Sequence, residues 1–188
     1  MVSGKYLAFD FPVLSPDGKT LYYGQRIDLP GATEFAVVKR DLASATETEL
    51  VRWPVLRLPQ VLSPDGLYIA AASSDPSTKS NTFLIVPTAG GEPKEVIRRA
   101  PPQQPGMFVW GPDSRSLLIR IGSGGDKLEL WRAFVDGTPA VKLDTMVDGN
   151  VGSVRLHPDG RQIAFEVRTP EKPQEIWVTE NFMPTTKK

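Results

Sequence analysis

The amino-acid sequence predicts an all-β repeat protein, and three observations carry that prediction. A Pro-Asp turn recurs four times at near-constant spacing, an aliphatic strand follows each turn in fixed register, and no stretch sustains a helical period. Self-similarity at a fixed interval marks a chain built from one supersecondary unit that buries its apolar face against its neighbours.

The turns are Ser15-Pro16-Asp17-Gly18, Ser63-Pro64-Asp65-Gly66, Gly111-Pro112-Asp113-Ser114 and His157-Pro158-Asp159-Gly160. Their aspartates stand 48, 48 and 46 residues apart, slightly more than the ~40–45 residues of a WD-type propeller blade. Proline presets φ for the first corner of a turn, Asp offers a side-chain oxygen to nearby backbone N–H groups, and Gly takes the left-handed conformation that ends a tight hairpin loop. Ser114 departs from this pattern. Either it takes the left-handed conformation at some cost, or the third turn is of another type.

Around each turn the register is kept. Four residues after each Asp stands Leu21, Ile69, Leu117 or Ile163, and two further on Tyr23, Ala71, Ile119 or Phe165. Side chains on a strand return to the same face every second residue, so this spacing predicts a strand with one buried face. Three residues before each Asp stands a large apolar residue, Leu14, Leu62, Trp110 or Leu156, and eighteen after it an aromatic, Phe35, Phe83, Trp131 or Trp177. These positions are expected to be buried.

The second half of each unit reads as two outer strands. Third strands are predicted at Phe35–Val38, Phe83–Val86, Leu130–Phe134 and Glu175–Val178, and outermost strands at Thr48–Arg52, Lys94–Arg98 and Ala140–Leu143. Polar or Gly-containing turns lie between them at 43–46, 88–91 and 136–139,. The expectation is one β-propeller domain over 1–188, with four-stranded antiparallel blades at about 11–52, 58–99, 106–144 and 151–182,.

The order apolar-x-Ser-Pro-Asp-Gly, aliphatic strand, aromatic strand and Gly-containing turn resembles the Pro-Asp propeller repeats of the TolB-like family, over about the whole chain. Such propellers usually have six to eight blades, whereas four are legible here. The resemblance therefore implies the C-terminal part of a larger propeller. The alternative is a self-closed four-blade ring, with Lys5–Phe9 supplying the outer strand that the fourth blade lacks and 183–188 as a tail. An open arc would bare sheet faces, so self-association is expected of it.

Composition narrows the function classes. Hydrophobic residues make up 40% of 188 residues, enough for a sizeable core,. Lys+Arg and Asp+Glu both number 22, so no excess of basic charge points to nucleic acid,. Without cysteine there is neither a disulfide nor thiolate chemistry,. No apolar run of a secretory signal or membrane span is present, so the chain reads as cytoplasmic as written, or periplasmic as part of a longer precursor.

No residue constellation encodes a reaction. The single histidine, His157, occupies the place of Ser15 and Ser63 in a turn, and aspartates that recur once per blade are explained by turn geometry. The TolB-like family includes propeller caps of peptidases and sensor propellers of kinases. The peptidases hold their serine in a Gly-x-Ser-x-Gly elbow on a separate domain, and Gly122-Ser123-Gly124-Gly125 has the wrong spacing for one. With one His and no Asp-x-Asp-x-Asp-Gly loop, neither zinc nor calcium is indicated, and no cofactor is expected.

Recognition is expected on the loops. Trp53 lies outside the repeat register, and the stretch 73–82, with Asp75, Lys79 and Asn81, breaks the repeat most visibly, followed by the Pro-rich 99–105,. The sequence thus predicts a non-catalytic scaffold for a protein, peptide or small ligand. The alternative is the regulatory or gating propeller of a larger enzyme, a peptidase or a serine/threonine kinase.

Overall fold

The strands expected from the turn register are present in the computed structural model, which describes residues 9–55, 61–122, 128–143, 150–168 and 175–180. The first sheet comprises β1 (Phe9–Leu14), β2 (Thr20–Leu29), β3 (Ala32–Asp41) and β4 (Glu47–Trp53). The second comprises β5 (Val61–Leu62), β6 (Tyr68–Ser74), β7 (Asn81–Pro87) and β8 (Lys94–Arg99). The third holds β9 (Gln104–Trp110), β10 (Ser116–Gly122), β11 (Leu128–Phe134) and β12 (Val141–Leu143), and the last β13 (Asn150–Leu156), β14 (Gln162–Arg168) and β15 (Glu175–Glu180). Each sheet is antiparallel with strands in sequence order, and no helix occurs among the described residues. The candidate closing strand at 5–9 lies outside the described residues except for Phe9, which opens β1.

The chain divides into two compact units, Met1–Ala100 with the first two sheets and Pro101–Lys188 with the last two. Each unit is built the same way. The four turns joining the first and second strands of each sheet share one hydrogen-bond pattern. The N–H of the fourth turn residue donates to the carbonyl of the first: Gly18 to Ser15 (2.9 Å), Gly66 to Ser63 (2.9 Å), Ser114 to Gly111 (3.0 Å) and Gly160 to His157 (2.8 Å). The Asp carboxylate then accepts the N–H two residues on, from Lys19, Leu67, Arg115 and Arg161. Ser114 has φ 56, against 69, 75 and 72 for Gly18, Gly66 and Gly160. The third turn is therefore the same turn, with serine held in the left-handed conformation.

Packing between sheets follows one rule in both units. In the first, Tyr22 and Val37 share a buried cluster with Ile69 and Val86 of the second sheet. In the second, Leu118, Leu130 and Leu143 cluster with Val154, Ile163, Phe165 and Val167 of the last sheet. The residue five after one turn Asp thus lies in the same core as the residue four after the next. The turns stack as well. A Cβ on Gly66 would lie 2.8 Å from Cδ of Pro16, and one on Gly160 3.2 Å from Cγ of Pro112. Each of these glycines serves twice, supplying the positive φ and the bare Cα on which the preceding proline rests.

Two expectations are corrected. The inner strands are buried on both faces, not one, as in Ile69-Ala70-Ala71-Ala72 and Leu117-Leu118-Ile119. A sheet has two faces that can be covered, and the period-two pattern registers only one of them. Leu14, expected to be buried, is 53% exposed, whereas its counterparts Leu62 and Leu156 pack on the clusters between sheets. The aromatic position is mixed: Phe83 is buried, Phe35 and Trp131 are half-buried, and the side chain of Trp177 lies outside the described residues.

Stacking separates two glycines of similar φ. Gly18 has nothing within 4 Å of a built Cβ, so Gly18→Ala is expected to cost about 1 kcal/mol, the strain of a left-handed alanine. Gly66→Ala adds a clash with Pro16, so its cost in urea unfolding should exceed that of Gly18→Ala by about 1–3 kcal/mol. Pro16→Ala should recover part of the difference, and equal costs for the two glycines would refute the stacking argument.

Candidate functional site

The Pro-Asp carboxylates are committed to their own turns. Asp17 Oδ1 accepts from Ser15 Oγ (2.6 Å) and the Lys19 N–H (3.1 Å). These bonds, the Ser15 hydroxyl foremost, hold its carboxyl below the usual value,. Asp65 receives the same hydroxyl contact from Ser63 at 2.6 Å. In the last turn His157 stands in for serine, with Nδ1 2.9 Å from Asp159 Oδ1. The Arg161 N–H and then His157 lower the Asp159 pKa. His157 is thus placed as a turn residue on the protein surface.

The loop between β6 and β7 is built rather than slack. Asp75 Oδ1 accepts from the Ser77 N–H (2.8 Å), Ser77 Oγ (2.6 Å) and the Thr78 N–H (3.3 Å). The Asp75 N–H donates to Ser80 O and the Lys79 N–H to Asp75 O, both at 2.9 Å. Lys79 sits at φ 59 with its side chain exposed. Asn81 is buried at the base of the loop and accepts a hydrogen bond from Ser74 Oγ. Asp75 and Asn81 therefore shape the loop, and Lys79 and Thr78 are what it presents.

Trp53 ends β4 opposite Phe35 and packs against the Tyr22, Val37, Ile69 and Val86 cluster. Two residues on, the Val55 carbonyl accepts from Ser73 Oγ (2.9 Å) and the Ser74 N–H (3.4 Å) at the foot of the Asp75 loop. Gly122 ends β10, and 123–125 fall outside the described residues.

Two features escape sequence reasoning. The Tyr23 hydroxyl donates to Glu47 Oε1 at 2.8 Å, and Arg40 Nη1 donates to the same oxygen at 2.5 Å. The Glu47 carboxyl is lowered, first by the Tyr23 bond. This cluster ties β2, β3 and β4 together. Its only sequence signal is a hydroxyl at a position that is Ala, Ile and Phe in the other repeats. The second feature is a shallow pocket of about 240 Å³ on the last sheet, lined by Ser153, Arg155, Ala164, Phe165, Glu166 and Ile176. Among the described residues, no three His, Asp or Glu side chains stand close enough together to hold a metal ion.

Four sheets, each opened by the same turn and stacked by the same rule, are matched by known propellers. TolB from Acinetobacter baumannii superposes with a TM-score of 0.66 at 16% identity over 96% of this chain and 42% of its own. The fold is that of a TolB-like β-propeller. An oligogalacturonate lyase from Vibrio parahaemolyticus gives a TM-score of 0.76 at 11% identity, over 96% of this chain and 53% of its own. The β-propeller domain of the trilobed protease from Pyrococcus furiosus gives 0.70 at 17%, over 94% and 55%. The chain thus spans about half the length of these propellers. No family model and no curated protein sequence matches it.

Two measurements check the geometry. Hydrogen bonds from Ser77, its hydroxyl foremost, and from Thr78 hold the Asp75 pKa at about 2, below the ordinary 3.8. Its support of the loop is therefore full above pH 3.8 and is lost as the pH falls toward 2. The Ser77 and Thr78 amide resonances of the folded protein should titrate with a midpoint of about 2, and an ordinary midpoint would contradict the loop geometry. Tyr23→Phe removes a bond to a carboxylate and is expected to cost about 1.5–3 kcal/mol in denaturant unfolding, with the Glu47 midpoint moving upward.

Proposed function

We propose that this propeller is a non-catalytic binding module whose partner is a protein or peptide. The observation that carries the reading is the commitment of its recurrent chemistry to scaffold. The carboxylates of Asp17, Asp65, Asp113 and Asp159 bind backbone N–H groups within their own turns, and His157 sits against Asp159. What remains for recognition is a rigid surface. The Asp75 loop, held by its own hydrogen bonds, offers Thr78 and Lys79 with little ordering entropy left to lose on docking,. The expectation of a protein partner comes from the resemblance of the repeats to the TolB-like family, whose fold this chain shares.

A second reading is favoured by the enzymes among the similar structures. The trilobed protease carries its propeller as one domain, and on this reading the present propeller gates or regulates a catalytic domain of a larger protein.

Selection from a displayed random-peptide library on the immobilised chain tests the first reading. Enriched peptides should lose roughly tenfold or more in affinity, about 1.4 kcal/mol, with Lys79→Glu, while Lys19→Glu on a turn leaves binding unchanged. Turnover of peptide or oligogalacturonate substrates that His157→Ala abolishes would overturn it.

A further inference from the structure

Three of the four repeats carry valine four residues before the turn Asp, as Val13, Val61 and Val109, and the fourth carries Arg155. The ladders confirm the equivalence, since Val13 pairs with Tyr22, Val61 with Ala70, Val109 with Leu118 and Arg155 with Ala164. In the first sheet this place belongs to the core, where Val13 packs on the cluster of Tyr22, Val37, Ile69 and Val86. On the last sheet Arg155 is exposed and lines the pocket of about 240 Å³. Two residues before it, Ser153 takes the place of Phe11, Pro59 and Met107. Ala164, Phe165 and Ile176 supply the apolar lining of the pocket, and Ser153, Arg155 and Glu166 its polar groups. Arg155 Nη1 donates to the Val154 carbonyl at 3.0 Å and reaches Met107 Sδ at 3.5 Å, which holds the guanidinium in place. Its other donors, Nε and Nη2, have no partner among the described residues.

We propose that this pocket binds a small apolar monocarboxylate, with the carboxylate on Arg155 and the apolar body against Ala164, Phe165 and Ile176. A guanidinium presents a planar fork that matches a carboxylate through two parallel hydrogen bonds. The Ser153 hydroxyl, on the same strand, is a further donor in the pocket. The volume sets the size of the occupant, since sites for drug-sized ligands hold about 300–1,000 Å³. Glu166 sets its charge, because a second anionic group on the ligand would meet a like charge in the same pocket,. The pocket lies within the second unit, whereas the peptide-binding reading concerns the Asp75 loop of the first, so either can fail without the other.

The test is a titration of the chain at neutral pH with 3-phenylpropionate, followed through the amide resonances of Ala164, Phe165, Glu166 and Ile176. Its uncharged analogue 3-phenylpropanamide and the dicarboxylate phenylsuccinate are titrated beside it. The monocarboxylate is expected to shift these resonances saturably and to bind roughly tenfold or more tightly than the amide, and more tightly than phenylsuccinate. Arg155→Gln should abolish the difference between acid and amide, while Lys19→Gln on the first turn preserves it. Both replaced side chains are exposed, and matching unfolding midpoints confirm that the variants fold. Equal binding of acid and amide by the wild type would overturn the proposal. So would tighter binding of phenylsuccinate, an acid preference that survives Arg155→Gln, or the lack of any saturable shift at the pocket.

Discussion

The contact on which the rest of the arrangement depends is a turn glycine lying under the proline of the turn before it. The Pro-Asp hairpin alone makes only a local reversal of the chain, stabilised by bonds among residues that are neighbours in sequence. Seating Pro16 against Gly66, and Pro112 against Gly160, brings each hairpin into close contact with the next one in its unit. The apolar faces that follow each turn then meet in the same register in both units. A methyl group at the glycine would wedge the hairpins apart at their most crowded point, so the constraint is steric as well as conformational.

This explains how one turn motif supports sheets with different contents. The buried clusters use Tyr22, Val37, Ile69 and Val86 in the first unit, and Leu118, Leu130, Leu143 and Ile163 among others in the second. Side-chain volumes differ, but the sheets are placed by their turns and the interior fills to suit. Loops are free to vary because they take no part in the spacing. The Asp75 loop is held by bonds of its own and not by the stack.

Much of the fold was legible because turns and strand periods are local properties. The Pro-Asp spacing located the four hairpins, and the outer strands followed from polar or Gly-containing turns. Burial on both faces of the inner strands was not legible. Alternation shows which residues share a face but not how many faces are covered, so Ala70 and Leu118 read as ordinary strand residues. The exposure of Leu14 was hidden for the converse reason, since a residue takes its environment from the sheet beyond it. Of the candidate site residues, Asp75 and Asn81 were found by the length of their loop, which said nothing of their shaping role. The Tyr23–Glu47–Arg40 cluster was missed because its members lie far apart in sequence and differ in type from repeat to repeat.

The third turn carries a consequence for how such repeats change over time. Gly111 stands where the first two turns have serine. A Cβ there would lie 2.8 Å from Asp113 Oδ1 and 3.0 Å from Ser116 Oγ. Ser116, at the place of Thr20 and Tyr68 in the first two turns, and the Asp113 carboxylate occupy the space that a side chain at 111 would need. Writing the majority motif into this turn one residue at a time therefore passes through a crowded intermediate. The first two turns hold serine opposite Thr20 and Tyr68, whose N–H groups donate to its hydroxyl, so the motif transfers between repeats only together with the neighbours that make room for it.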